Sequence, residues 1–115
     1  TFLMNAAKVA LSCNDAVGEF NAEYQKRRQI MVDGLSAIPG LRIGDCEGAF
    51  YAFVDITETG MSDTEFADGA LEAGVQLIPA SLIAGGEGFI RISYAADEDV
   101  IHEGLRRLSA WLLNE

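Results

Sequence analysis

A chain of 115 residues, half of them hydrophobic, suits one domain with a modest core and excludes a disordered tail. Its 18 acidic against 8 basic residues leave a formal charge of −10, which repels phosphate backbones and anionic membranes and disfavours nucleic acid as a partner. No run reaches the roughly 18 apolar residues of a membrane helix, and the first residues lack a secretion signal. Cys13 and Cys46 have neither CxxC spacing nor the density of a disulfide scaffold, so free thiols and an intracellular, cytoplasmic protein are expected. The start at Thr1, without methionine and almost at once helix-like, reads as a piece of something longer.

In chain order, residues 1–11 carry Phe2, Leu3, Ala6, Ala7 and Ala10, a small-residue helical surface suited to packing against a neighbouring domain. Asn14 or Asp15 can cap a second helix, whose apolar stripe Val17, Phe20, Tyr24, Met31, Leu35 and Ile38 recurs at helical spacing until Pro39-Gly40 stops it. Leu41-Arg42-Ile43 alternates like a short strand, residues 44–48 form an acidic turn, and Ala49 to Val54 read as a buried strand beside the first. Ser62-Asp63-Thr64-Glu65 fits a capping box, opening a helix with inner face Phe66, Ala67, Ala70 and Leu71 that Gly74 ends. Val75 to Ile78 reads as a strand closed by Pro79, residues 79–88 as a loop, and Phe89 to Tyr94 as another strand. Asp97 caps the last helix, with Ile101, Leu105, Leu108 and Leu112 as its buried stripe. This order predicts an α+β fold, a small sheet with helices packed on it.

The most informative segment is Gly88-Phe89-Ile90-Arg91-Ile92-Ser93-Tyr94. Strand residues alternate faces, so Phe89, Arg91 and Ser93 share one side and Ile90, Ile92 and Tyr94 the other. A guanidinium stays ionised and presents a planar fork of donors matched to a carboxylate, so a strand holding Arg91 makes an anchor for an acidic ligand. A structural arginine, paired internally or snorkelling from a sheet edge, is the commoner outcome for such a residue, and the residues alone leave both open. Other candidates are weaker. Gly85-Gly86-Glu87-Gly88 opens a strand instead of a helix, which argues for a tight loop and against a phosphate cradle. The acidic residues, Asp63 and Glu65 among them, read as caps or solvated surface. Lys8 and Lys26 show no sign of a Schiff-base nucleophile, and His102 lacks metal-ligating or triad companions, so no catalytic residue, metal ligand or cofactor-binding residue is assigned within the chain.

Glu47-Gly48-Ala49-Phe50-Tyr51-Ala52-Phe53, residues 62–67, Ala73-Gly74-Val75, Pro79-Ala80-Ser81 and residues 86–95 resemble, in order and spacing, the C-terminal small domain of fold-type-I, class I and II aminotransferases, the group that includes aspartate aminotransferase. The likeness covers essentially all of residues 1–115 as one domain, with 1–13 as a segment leading from a large domain. It implies a mostly antiparallel sheet of about three to four strands. It also implies a pyridoxal 5'-phosphate enzyme that moves an amino group between an amino acid and a 2-oxo acid, homodimeric when full length. In that family the arginine of the matching strand binds the substrate α-carboxylate, which carries the role to Arg91, and Phe50 is a second substrate-side candidate whose alternative is a sheet-core aromatic. The Schiff-base lysine and phosphate site belong to the large domain, so this chain alone is expected to be inactive. Where the family loop commonly reads Pro-Gly-Ser-x-Phe-Gly, this chain has Pro79-Ala80-Ser81-Leu82-Ile83-Ala84, and alanines in place of positive-φ glycines would force another backbone path. Two rival readings remain from the residues: a stand-alone module binding an acidic metabolite through Arg91, and a non-catalytic association domain.

Overall fold

The structure, a computed structural model, describes residues 1–114. Helices α1 (Phe2–Ala10) and α2 (Asn14–Ser36) lead into strands β1 (Arg42–Ile43) and β2 (Tyr51–Asp55), then helix α3 (Asp63–Glu72), strands β3 (Ile78–Pro79) and β4 (Phe89–Ser93), and helix α4 (Glu98–Leu113). The four strands form one antiparallel sheet in the order β1-β2-β4-β3, which gives the α+β architecture expected. β2 and β4 run side by side with Ala52 opposite Ile92 and Val54 opposite Ile90. These four residues face the helices and are buried, while Tyr51, Phe53, Phe89, Arg91 and Ser93 lie on the open face, as strand alternation requires.

Leu35, Phe66, Ala70 and Leu108 close over the buried sheet face from α2, α3 and α4, each with essentially no exposure. The α2–α4 crossing is tight because Gly34 sits there: a Cβ at this position would lie 2.4 Å from Leu105 Cδ1. The capping box of α3 forms as its sequence dictates, with the Glu65 amide donating to Ser62 Oγ (3.2 Å) and the Ser62 amide donating to Glu65 Oε2 (2.9 Å).

Several local expectations are corrected. Cys13 occupies the N-cap of α2 without a side-chain cap, so Asn14 and Asp15 fall inside the first turn. Asp97 does take the N-cap position of α4, but its carboxylate makes no capping bond and lies 3.9 Å from Arg27. The strand expected at Val75–Ile78 shrinks to Ile78–Pro79, and Pro79 is tolerated inside it because β3 is a sheet edge, where no second neighbour needs its missing N–H. Leu71 points to solvent, and so do Val17 and Phe20 of the α2 stripe: burial in α2 begins only in its second half. Helix α1 buries nothing at all. The radius of gyration is 16.7 Å, against about 13 Å for a compact chain of this length, because α1 and the start of α2 extend away from the core.

Candidate functional site

Arg91 stands near the middle of the open sheet face, opposite Phe53 on β2 and Ile78 on β3, and is partly exposed. Its guanidinium carbon lies 4.3 Å from the centre of the Tyr51 ring. Tyr51 pairs with Ser93, one step of the same face from Arg91, a diagonal within reach of long side chains. Among the described residues no carboxylate pairs with Arg91, and none of its nitrogens donates a hydrogen bond within the chain. Because every buried side-chain nitrogen and oxygen among these residues does have a partner, the free donors of Arg91 are open to solvent. An internally paired structural arginine is therefore not what the fold holds.

Several carboxylates of the domain are engaged away from Arg91. Asp55, on the same face, accepts from the amide (2.9 Å) and hydroxyl (2.6 Å) of Thr57, bonds that hold its carboxyl below the usual carboxylate range. Glu58 pairs with Arg42 at the other edge of the sheet. Asp63, expected to be surface or cap, is the one buried charged residue among those described. Its Oδ2 accepts from the Ser81 amide (2.8 Å) and its Oδ1 from the Thr64 amide (3.0 Å), and the bond from Ser81 is the main reason its carboxyl ionises more readily than usual. It thereby ties the start of α3 to the 3-10 turn Ala80–Ile83, next to β4. Only tertiary structure joins residues 63 and 81, so local sequence carried no signal for it.

That turn places one of its two alanines in the left-handed region. Ala84 sits at φ 60° and the Gly85 amide donates to the Ala80 carbonyl (2.9 Å), whereas Ala80 lies in the 3-10 turn and needs no positive φ. Ala84 is a left-handed alanine, in the backbone region that favours glycine. Gly85 packs against the open face, where a Cβ would lie 2.7 Å from Phe53 Cζ. Gly86 and Gly88 also take positive φ, consistent with a tight loop.

Phe50 lies just before β2 and is 39% exposed, which rules out the sheet-core role. Its ring centre is 4.3 Å from that of Tyr51 and 6.4 Å from that of Tyr24 on α2. Phe53 and Phe89 stack on the open face at 5.5 Å. A cavity of about 550 Å³ at the β1 side of this face is lined by Tyr51, Phe53, Phe89 and Arg42 together with the carboxylates of Asp45, Glu47 and Asp55, and Arg91 lies outside its lining. A separate cleft of about 430 Å³ lies beside α4 and includes none of the aromatic residues of the open face. The face thus offers one unpartnered cation in an aromatic surround, suited to the acid end of a small molecule with apolar parts. Tyr51 is the member that sequence reasoning left out, although its alternation with Phe53 in β2 already placed it on the Arg91 face.

The residues present do not make a site for pyridoxal 5'-phosphate. Lys8 is exposed on α1, Lys26 on α2 lies 3.9 Å from Glu23, and neither lysine belongs to the sheet that carries Arg91. No helix of the described residues is long and apolar enough to cross a membrane.

The sequence profile described as aminotransferase class I and II matches residues 1–108. The aspartate aminotransferase of Pyrococcus horikoshii is 40% identical over 102 residues, which is 87% of this chain and 26% of that protein. The probable N-acetyl-LL-diaminopimelate aminotransferase of Bacillus subtilis is 39% identical over 95 residues, 81% of this chain and 24% of that protein. Among solved structures, the aspartate aminotransferase from Rhizobium meliloti superposes with a TM-score of 0.81 at 36% identity, covering 85% of this chain and 27% of that one. The aromatic aminotransferase from Pyrococcus horikoshii superposes with a TM-score of 0.83 at 34% identity, covering 87% and 27%. These shares mean that the chain spans about a quarter of the length of the proteins it matches. With the profile matched over nearly its whole length and the fold shared, the chain belongs to the class I and II aminotransferase family.

Proposed function

We propose that this chain is the substrate-carboxylate-binding small domain of a pyridoxal-phosphate-dependent amino-acid aminotransferase, with residues 1–13 leading in from a large domain. The observation that carries the reading is Arg91: a guanidinium on a rigid strand, with its donors open and no internal carboxylate, in a chain of this family. An amino acid and its 2-oxo acid share one carboxylate, so a single bidentate arginine can hold both substrates in the same register. Phe50, half-exposed at the end of the aromatic group, borders the substrate side. The cofactor, which supplies the amino-group chemistry, is held by the large domain, and this chain alone neither binds it specifically nor transaminates. The whole protein works in the cytoplasm as a homodimer, a reading that the two free cysteines support through their fit to a reducing compartment.

In the whole protein, Arg91→Ala weakens use of the amino acid and the 2-oxo acid together, by roughly 2 to 5 kcal/mol in kcat/KM terms, as for removing one partner of a desolvated charge pair. Steady-state kinetics in both directions check this, and unchanged values would remove the anchoring role. Mixing pyridoxal 5'-phosphate with the 115-residue chain should give no stoichiometric imine absorbance, and a stoichiometric one would contradict the assignment of the lysine to another domain.

A further inference from the structure

Arg91 lacks every partner that usually fixes an arginine, yet an anchor must hold its fork in one orientation before the ligand arrives, or lose affinity in ordering it. Among the described residues, the aromatic ring that its guanidinium lies over is that of Tyr51, 4.3 Å from Cζ to the ring centre. Arginine commonly packs flat on aromatic faces, an arrangement that engages the face of the guanidinium and leaves its in-plane N–H edge, the edge a carboxylate needs, untouched. The ring is itself braced: Phe50 packs on it at 4.3 Å, Tyr24 of α2 lies 6.4 Å from Phe50, and Tyr94, 6.4 Å from Tyr24, donates from its hydroxyl to the Ala49 carbonyl (3.0 Å).

We propose that Tyr51 is a positioning residue for substrate binding: its braced ring carries the Arg91 guanidinium and aims the free N–H edge at the incoming carboxylate. This rests on the reading of Arg91 as the carboxylate anchor, and the test separates the two. In NMR spectra of the 115-residue chain, the Arg91 side-chain Nε–H resonance is expected upfield from ring current, kept in Tyr51→Phe and returned to the ordinary position in Tyr51→Leu. In the whole protein, Tyr51→Leu is expected to raise KM for the amino acid and the 2-oxo acid alike, about 5- to 30-fold, with a smaller change in kcat, while Tyr51→Phe stays near the parent values. A general loss of structure would not spare Tyr51→Phe or split KM from kcat in this way. If Tyr51→Leu does not fold, Tyr51→Met replaces it and is read identically. An unshifted Arg91 resonance in the parent, or an unchanged KM in the ring-less variant while Arg91→Ala is impaired, overturns the role of Tyr51 and leaves the anchor standing. An unimpaired Arg91→Ala overturns the anchor, and the role of Tyr51 with it.

Discussion

The two ends of helix α2 carry the same apolar spacing and meet opposite fates. Met31 and Leu35 are buried against α4 and the sheet, whereas Val17 is 53% and Phe20 66% exposed, and Phe2, Leu3 and Met4 of α1 are at least as exposed as Phe20. Helical periodicity therefore announces that a face must be covered, without saying by what. The carboxy-terminal region covers its own stripe. The amino-terminal region leaves several large apolar side chains bare, which fits the proposal that a large domain packs there.

Truncating the covered stripe should break the comparison most sharply. Leu35→Ala or Phe66→Ala is expected to cost about 3 to 5 kcal/mol of unfolding free energy, since each removes a fully buried side chain, while Phe20→Ala in this chain should stay within about 0.5 kcal/mol. Denaturant melts of the three variants decide it, and equal losses would mean that the amino-terminal stripe is covered after all. Sedimentation supplies the complementary test: the chain should self-associate at high concentration, and Phe2→Glu with Phe20→Glu should return it to monomer. A strict monomer in the parent chain would show that the exposed surface needs no cover.

Smaller effects sharpen the contrast within the packed region. Ala84→Gly should stabilise by up to about 1 kcal/mol, because relief of a left-handed alanine outweighs the added freedom of glycine in the unfolded chain. An acid titration reads the carboxylates. The guanidinium of Arg106, and then that of Arg107, hold Glu103 down to about 2, and Asp63 is lowered by its bonds from Ser81. Both folded-state values lie below the unfolded ones, so their stabilisation is complete above the ordinary carboxylate range, about pH 4, and disappears as pH falls through the folded values. Asp63→Asn should flatten that acid limb and destabilise the chain at neutral pH, since it removes a buried acceptor that joins two segments. Glu103→Gln should change both the limb and the neutral-pH stability only slightly, its ion pairs being exposed.

Elements whose cause is local were legible in the residues. The capping box at Ser62 and Glu65, the stripe from Ile101 to Leu108 and the alternation from Phe89 to Tyr94 each state their own geometry within one turn or one strand, and the structure reproduces them. Alternation was also enough to put Arg91 on the face away from Ile90 and Ile92. Tertiary structure alone decided what each face meets: Asp63 reaching Ser81, Phe50 slipping off the sheet to pack on Tyr51, and Val17 and Phe20 left uncovered. The physical reason is range. Backbone hydrogen bonding and side-chain periodicity act over a few residues and are written in order along the chain. A partner for a charge or an apolar face is instead chosen among residues that sequence holds far apart, and for Arg91 that choice was a ring on the neighbouring strand, with no carboxylate paired to it among the described residues.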